Sequence, residues 1–276
     1  MIATALLLAA ICNAEVCPER QNDFCWENDK VGFRAYGPGE FHKWSGFDVF
    51  NKADRAGATC SYVLHHHNKC GNWHEKPYKG ILDNYTIGAS RGCGGIAMFA
   101  DGEWKTFPNW ESCRVITNCD ERCEFELVYP AFSAAGKMTC HITLKKGARF
   151  FSNEVSFEKG MRDFWVGPGL DVLSGRGHAG KSWEDADSGV VALFEDSKGD
   201  VQGSTATAIF IDPNCNMAHV KLKTDHLGCR ILTVNQQKFT YWAGAAWSKA
   251  GEITSPEAWF KTVADFREDL KISIQF

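Results

Sequence analysis

Four of the chain's nine histidines fall in one stretch, His65-His66-His67-Asn68-Lys69-Cys70-Gly71-Asn72-Trp73-His74, and Asp83-Asn84-Tyr85-Thr86 follows shortly after it. Imidazole titrates near neutral pH and serves as base, acid or metal ligand, so this is the stretch best equipped for proton transfer. A solvated polar loop tied down by Cys70 is the competing account. Asn84-Tyr85-Thr86 is also a glycosylation sequon, which predicts surface exposure around Asn84.

Two further groups mix rings with charge. The first is Trp26-Glu27-Asn28-Asp29 with Arg34 and Tyr36, running through Gly37-Pro38-Gly39 to Ser45-Gly46-Phe47-Asp48. The second is Tyr241-Trp242-Ala243-Gly244-Ala245-Ala246-Trp247-Ser248-Lys249. Sugar recognition needs this mixture: ring faces stack on C–H surfaces, while fixed charges bind hydroxyls or pair with a uronate carboxylate. Trp26, Trp44, Trp242 and Trp247 can equally be core filling, but the charges beside them are harder to place in a core.

One string misleads. Gly175 to Ser182 fits the phosphate-loop pattern, yet such a loop works only where its Ser or Thr opens a helix facing the phosphates. Trp183-Glu184-Asp185-Ala186-Asp187-Ser188-Gly189 is acidic and lacks helical apolar spacing, so a Gly-rich surface loop is predicted instead.

The elements that must position these groups are mostly strands. Glu124 to Tyr129 alternates polar and apolar, Met138, Cys140, Ile142 and Leu144 share one face, and Lys145-Lys146-Gly147 turns the chain into Arg149 to Phe157, a predicted hairpin. Val31–Tyr36, Val190–Phe194, Thr207–Ile211, His219–Leu222, Ile231–Val234 and Lys238–Trp242 are further strands separated by turn residues. Ser255-Pro256-Glu257 caps a helix whose Trp259, Val263 and Phe266 fall on one stripe, and Lys271 to Phe276 returns to period two as a closing strand. The prediction is an all-β chain, a large antiparallel β-sandwich with one C-terminal helix, forming a single domain over residues 15–276.

The 276 residues are 44% hydrophobic and 23% charged, with a net charge of −4 and no basic run. That excludes disorder and argues against a nucleic-acid partner, whose phosphates demand a basic patch. The apolar start, Met1 to Ile11, is too short to span a bilayer. With small residues at Cys12 and Ala14 it reads as a signal peptide cut before Glu15, and hence as a secreted, extracellular chain. Removing Cys12 leaves eleven of the twelve cysteines, a density that predicts disulfide bonds in an oxidising compartment. No cofactor or metal is called for, and the oligomeric state is left open.

Several strings resemble an uncharacterised family of secreted proteins from bacterial polysaccharide-degradation gene clusters. They are Asp23 to Asp29 with Phe33 to Pro38, Ser45 to Val49, Ser90-Arg91-Gly92-Cys93-Gly94-Gly95, Phe125 to Tyr129 and Tyr241 to Lys249. The resemblance implies a galactose-mutarotase-like sandwich acting on uronic-acid-containing polysaccharide or oligosaccharide by elimination, as a lyase or dehydratase, and the Asn84 sequon adds the expectation of a glycoprotein. Around His74 the chain departs from the family's His-x-Asp-His-Gly-Glu pattern, keeping His74, Gly80 and a candidate Asp83. Elimination assigns Arg34 and Lys249 to the substrate carboxylate, His74 to the base and Tyr241 to the acid, with Trp26, Glu27, Tyr36, Asp48, Arg91 and Trp247 binding substrate. Non-catalytic carbohydrate binding, or secreted interaction, is the alternative from another class, and hydrolysis by Glu27 and Asp48 a third.

Overall fold

A computed structural model of the chain describes residues 11–40, 46–54, 56–85, 87–159, 164–172, 179–196, 202–212, 220–225 and 228–273. Trp44, Thr86, Cys215, His219, most of the apolar N-terminal run, residues 175–178 and residues 274–276 lie outside them.

The strands in chain order are β1 (Asn13–Cys17), β2 (Asp23–Glu27), β3 (Gly32–Ala35), β4 (Phe47–Lys52), β5 (Ile81–Leu82), β6 (Cys93–Ala100), β7 (Glu103–Thr106), β8 (Ser112–Asn118) and β9 (Arg122–Ser133). They continue as β10 (Gly136–Lys145), β11 (Phe150–Phe157), β12 (Val166–Leu170), β13 (Gly180–Asp185), β14 (Val190–Asp196), β15 (Ser204–Ile211), β16 (Lys221–Thr224), β17 (Arg230–Thr233) and β18 (Lys238–Trp247). A short helix α1 (Cys60–His65) interrupts the early strands, and α2 (Pro256–Ser273) follows the last one.

An eight-stranded sheet runs β13-β14-β15-β18-β11-β10-β9-β8, and two five-stranded sheets run β1-β2-β3-β4-β5 and β16-β17-β12-β6-β7. Period two decides what each face carries. Phe24, Trp26, Phe33, Phe47 and Val49 of the first sheet, Ile96, Met98 and Val166 of the third, and Phe125, Leu127, Met138 and Ile142 of the large sheet meet in one apolar core. The antiparallel β-sandwich and its C-terminal helix are as the sequence predicts, and the β10–β11 hairpin turns at Lys145 as expected.

On its other face the large sheet offers Val190, Ala192, Phe194, Ala208 and Phe210 to Trp259 and Val263 of α2, both fully buried. Burying each of those two side chains is worth about 1.5–3 kcal/mol. The stripe continues through Phe266 to Leu270, which carries the helix to Ser273. The predicted strand from Lys271 is therefore corrected: its first three residues end α2, because a helical stripe already anchored at four positions overrides a short alternation.

Two more expectations are revised, and a third observation bears on the N-terminus. All eleven described cysteines are free thiols, nine of them buried at inward-facing or packed positions, so among the described residues no predicted disulfide is present and the buried thiols pack as small apolar groups. Gly180 to Ser182 belongs to strand β13 rather than to a loop, and Lys181 reaches Glu257 of α2 at 2.9 Å, so no helix N-terminus follows the phosphate-loop look-alike. The boundary placed before Glu15 falls inside β1, where Asn13 and Ala14 pair with Glu27 and Trp26.

Candidate functional site

The outer face of the first sheet is where the charges gather. With Phe24, Trp26, Phe33, Phe47 and Val49 turned into the core, alternation turns Asp23, Cys25 and Glu27 of β2, Arg34 of β3, and Asp48, Phe50 and Lys52 of β4 the other way, and Cys25, Arg34 and Asp48 lie in register across the three strands. The segment from α1 to β5 closes over that face: Cys17, Cys25, Phe50, Cys60, Val63, Leu64, Trp73 and Ile81 form a second apolar cluster there. Gly32 permits the closure, since a Cβ at that position would sit 2.3 Å from Cys60 Sγ.

Under this cover Arg34 is 2% exposed and surrounded by carboxylates. Its Nη2 donates to Asp48 Oδ2, to Asp83 Oδ2 at 3.0 Å and to the Tyr36 hydroxyl at 3.1 Å, and Nη1 stands 3.6 Å from Asp23 Oδ2. Tyr36 also donates to Asp48 Oδ2 at 3.1 Å, and Asp23 Oδ1 accepts the Gly37 N–H at 2.9 Å. Three acids face one guanidinium, so the cluster cannot be neutral with every carboxyl ionised. Burial, reinforced by Asp83, pushes the Asp48 carboxyl up to about 7. Burial raises Asp83 too, with Arg34 pulling against it.

His74 is the member that reaches water, with its side chain 49% exposed. Its Nδ1 lies 2.9 Å from the Asp83 carbonyl and 3.4 Å from Asp83 Oδ2. The Asp83 N–H bonds the Trp73 carbonyl at 3.1 Å, and the Trp73 ring packs on the imidazole with centroids 4.0 Å apart, so backbone and ring hold His74 on both sides. Burial, and the positive charge of Arg34, lower the His74 pKa below its ordinary value, against the hydrogen bond to Asp83. A carbonyl oxygen only accepts, so that bond keeps the proton on Nδ1 and leaves Nε2 as an acceptor.

A polar rim continues from there. Asn51 Nδ2 donates to Asn84 Oδ1 at 2.6 Å and to Thr205 Oγ1 at 2.8 Å, while its own buried Oδ1 has no partner among the described residues. Asn84 reaches Gln202 Oε1 at 3.5 Å, Gln202 reaches the Glu75 carbonyl at 3.5 Å, and Trp247 Nε1 donates to the Gln202 carbonyl at 2.6 Å. The exposed Lys249 lies across Gly203, next in sequence to Gln202.

The structure thus brings Arg34, Tyr36, Asp48 and His74 into one connected group and sets Trp247 and Lys249 on the adjoining rim. It places the rest elsewhere. Trp26 is wholly in the core, stacked on Phe33 with centroids 5.5 Å apart, so its face is closed to a sugar. Glu27 accepts from Lys52 Nζ at 2.6 Å, Cys60 N at 2.9 Å and Ser61 N at 3.0 Å, which makes it the anchor of α1. Arg91 is 1% exposed and pairs with Asp225 at 3.0 Å. Tyr241 is fully buried, donating to the Gly94 carbonyl at 2.5 Å and accepting from Asn153 Nδ2 at 2.9 Å. The neighbours of His74 in the histidine stretch are spent locally: His65 on Glu19 at 2.6 Å, His66 against Tyr62, and His67 on the Leu64 carbonyl. Sequence reasoning did not single out Asp23, Asn51 or Gln202. Asp23 was legible from its spacing, two residues before Cys25 and four before Glu27 on one strand face.

Comparison with known proteins adds the following. A sequence-family model described as a domain of unknown function, DUF4861, matches residues 8–275. "Uncharacterized protein P7" of Formosa agariphila is 27% identical over 284 aligned positions, covering 96% of this chain and 69% of that one. Among solved structures, the GH36 alpha-galactosidase AgaB from Geobacillus stearothermophilus is similar at 10% identity and a TM-score of 0.43, over 85% of this chain. The alpha-galactosidase from Lactobacillus brevis is similar at 9% identity and a TM-score of 0.40, over 84%. The chain spans about 41% of the length of either of those proteins.

Proposed function

The chain belongs to the DUF4861 family of domains of unknown function, and on that premise we propose that it acts on uronic-acid-containing polysaccharide or oligosaccharide by elimination, with His74 as the base. The observation that carries this is the contact of a half-exposed imidazole with the Asp83 carbonyl, which as an acceptor draws the proton to Nδ1 and leaves Nε2 to accept one. In the proposed reaction Nε2 takes the proton from the carbon beside the uronate carboxylate. The electron pair of that C–H bond forms a double bond to the next ring carbon as its C–O bond breaks. The leaving oxygen departs as the hydroxyl of a shortened chain in a lyase or as water in a dehydratase, protonated by the imidazolium.

In this scheme Lys249 meets the substrate carboxylate, and Gln202 is the rim group nearest it that offers an amide to hydroxyls. Arg34, Asp48 and Tyr36 act through Asp83 as positioning residues, holding the backbone to which His74 is bonded. The uronate specificity rests on the family resemblance of the sequence strings rather than on a shaped cleft.

One observation favours non-catalytic carbohydrate binding instead: the enclosure of Tyr241, which withdraws the acid assigned from sequence. Incubating the purified chain with a panel of uronate polysaccharides and oligosaccharides, with products read by mass, separates the readings. Loss of water or chain scission with an unsaturated end supports elimination, gain of water indicates hydrolysis, and binding without change of mass leaves the non-catalytic reading. The proposal also keeps the chain extracellular, and N-terminal sequencing of protein recovered from the medium tests that: a start at residue 15 supports it, and retention of the protein in the cytoplasm contradicts it.

A further inference from the structure

We infer that the outer face of the third sheet carries a second binding site, for a sparsely anionic polysaccharide chain, on a sheet that carries none of the His74 group. Phe99 on β6 is 44% exposed, although its neighbour Met98 is buried at 1% on the opposite face. Phe99 stands in register with Trp104 on β7, with ring centroids 5.4 Å apart at 61°. On its other side the Phe99 N–H bonds the Trp165 carbonyl at 2.9 Å, just before β12. Trp104 and Trp165 are both partly exposed, so β7, β6 and the residue leading into β12 each bring an aromatic residue to one level of the sheet. Neighbouring strands lie about 4.8 Å apart, which sets the outer rings of the row about 10 Å from each other.

At one end of the row Lys221 holds its Nζ 4.3 Å over the Trp165 ring, and Lys223 stands two residues further along the same edge strand. Both lysines are exposed, and among the described residues neither forms an ion pair. At the other end Lys105 is held by Asp101 at 2.8 Å and by Glu103 at 3.4 Å.

Packing does not account for this row, since the core of this sheet lies on its other face, with Met98 and Val166. The composition identifies the occupant. Aromatic rings take the C–H face of a sugar, and an unpaired lysine beside them takes a carboxylate or sulfate. Lysine is depleted where proteins meet proteins, which counts against a protein partner. Asp101 and Glu103 at the far end would repel a polymer with a phosphate at every step, which counts against nucleic acid. A glycan with anions on only some of its sugars fits both ends: bare rings over Phe99 and Trp104, and an anionic sugar over Trp165 and Lys221.

Affinity electrophoresis of the full chain in gels containing soluble glucuronoxylan, in which only some sugars carry a carboxylate, with a neutral soluble β-glucan as control, tests the inference, using His74→Ala protein so that the probe is not consumed. His74→Ala protein should be retarded by the glucuronoxylan more than by the glucan. The pair Phe99→Ala with Trp104→Ala should lower affinity for both polymers by about tenfold or more, the scale of two lost stacking contacts. The pair Lys221→Ala with Lys223→Ala should remove the preference for the anionic polymer and its salt dependence. All four residues are at the surface, and circular dichroism of each variant confirms that it folds. On short oligosaccharides the same substitutions in otherwise wild-type protein should leave turnover unchanged, which separates this site from the His74 chemistry. Retention of either double variant as strong as that of its parent overturns the inference, as does absence of retardation by glucuronoxylan. A dimer in sedimentation that Phe99→Ala dissolves would assign the row to a second copy of the chain and likewise overturn it.

Discussion

Two ion clusters share one face of one sheet, and they are built on opposite plans. Glu27 and Lys52 are a closed pair: the two carboxylate oxygens receive Lys52 and two N–H groups from the start of α1, and Lys52 also reaches the Asn28 carbonyl at 2.6 Å. Both carboxylate oxygens are met by donors, and the pair is almost wholly withdrawn from solvent. The Arg34 group is open: three acids meet one guanidinium, Nε and Nη1 of Arg34 lack hydrogen-bond partners among the described residues, and the chain of contacts leaves the interior through His74. Burial alone does not mark a functional site. An excess of one charge, with an exit to water through an imidazole, is what makes the Arg34 group the candidate.

The comparison breaks or sharpens under four changes. Removing one partner of the closed pair should have the largest effect on folding: Glu27→Ala strands Lys52 and leaves the Cys60 and Ser61 N–H groups of α1 without their acceptor, and should cost about 3–5 kcal/mol in a denaturant titration. A loss below about 1 kcal/mol would mean that water reaches Lys52 and that the pair is not closed.

His74→Ala should do the reverse. Because the ring is half exposed, stability should change by less than about 1 kcal/mol, while turnover of a uronate oligosaccharide falls about 10²-fold or more. Equal damage to both would place His74 with the structural pair.

Asp48→Asn sharpens the open cluster through pH. The ordinary carboxyl titrates at 3.8 and Asp48 is pushed up to about 7, so between about pH 4 and 7 the folded chain keeps a proton that the unfolded chain releases. Stability from this group therefore falls as pH rises through that window. The variant cannot titrate there, so its stability relative to the parent should climb over the same interval in parallel melts. A flat difference would show that Asp48 ionises like a surface acid.

Lys181→Ala should be the smallest change. Its pair with Glu257 is exposed on both sides, and the expected shift is below about 0.5 kcal/mol. Nucleotide should change the melting temperature of neither form, because Lys181 lies on a strand.

Much of the frame was legible in the sequence, because period two and capping residues act locally. The β10–β11 hairpin, the strands around Val190, Thr207 and Lys238, and the start of α2 at Pro256 were all readable in that way. The end of α2 was not, since Lys271-Ile272-Ser273 alternates locally while the stripe that holds the helix runs back to Trp259. Helix α1 is six residues long and was missed, being held by Thr59 at its cap and by Glu27 from another strand. The charges around Arg34 were legible as a group, but their direction was not: alternation says that Trp26 and Glu27 point oppositely, and only the position of the α1 segment says that both sides are covered. Tyr241 failed for the same reason, because an isolated tyrosine on a strand does not reveal that both faces of its sheet are packed.

The central claim is that His74 is the group through which the buried cluster acts on substrate. The most direct measurement is the pH dependence of unsaturated-product formation from a uronate oligosaccharide, followed by ultraviolet absorbance, for the parent chain and for His74→Ala. The account predicts a rate that rises with pH around a midpoint below the ordinary histidine value of 6.5, as a base of lowered pKa loses its proton, and no such step in the variant. The same rate and the same profile in His74→Ala would contradict it.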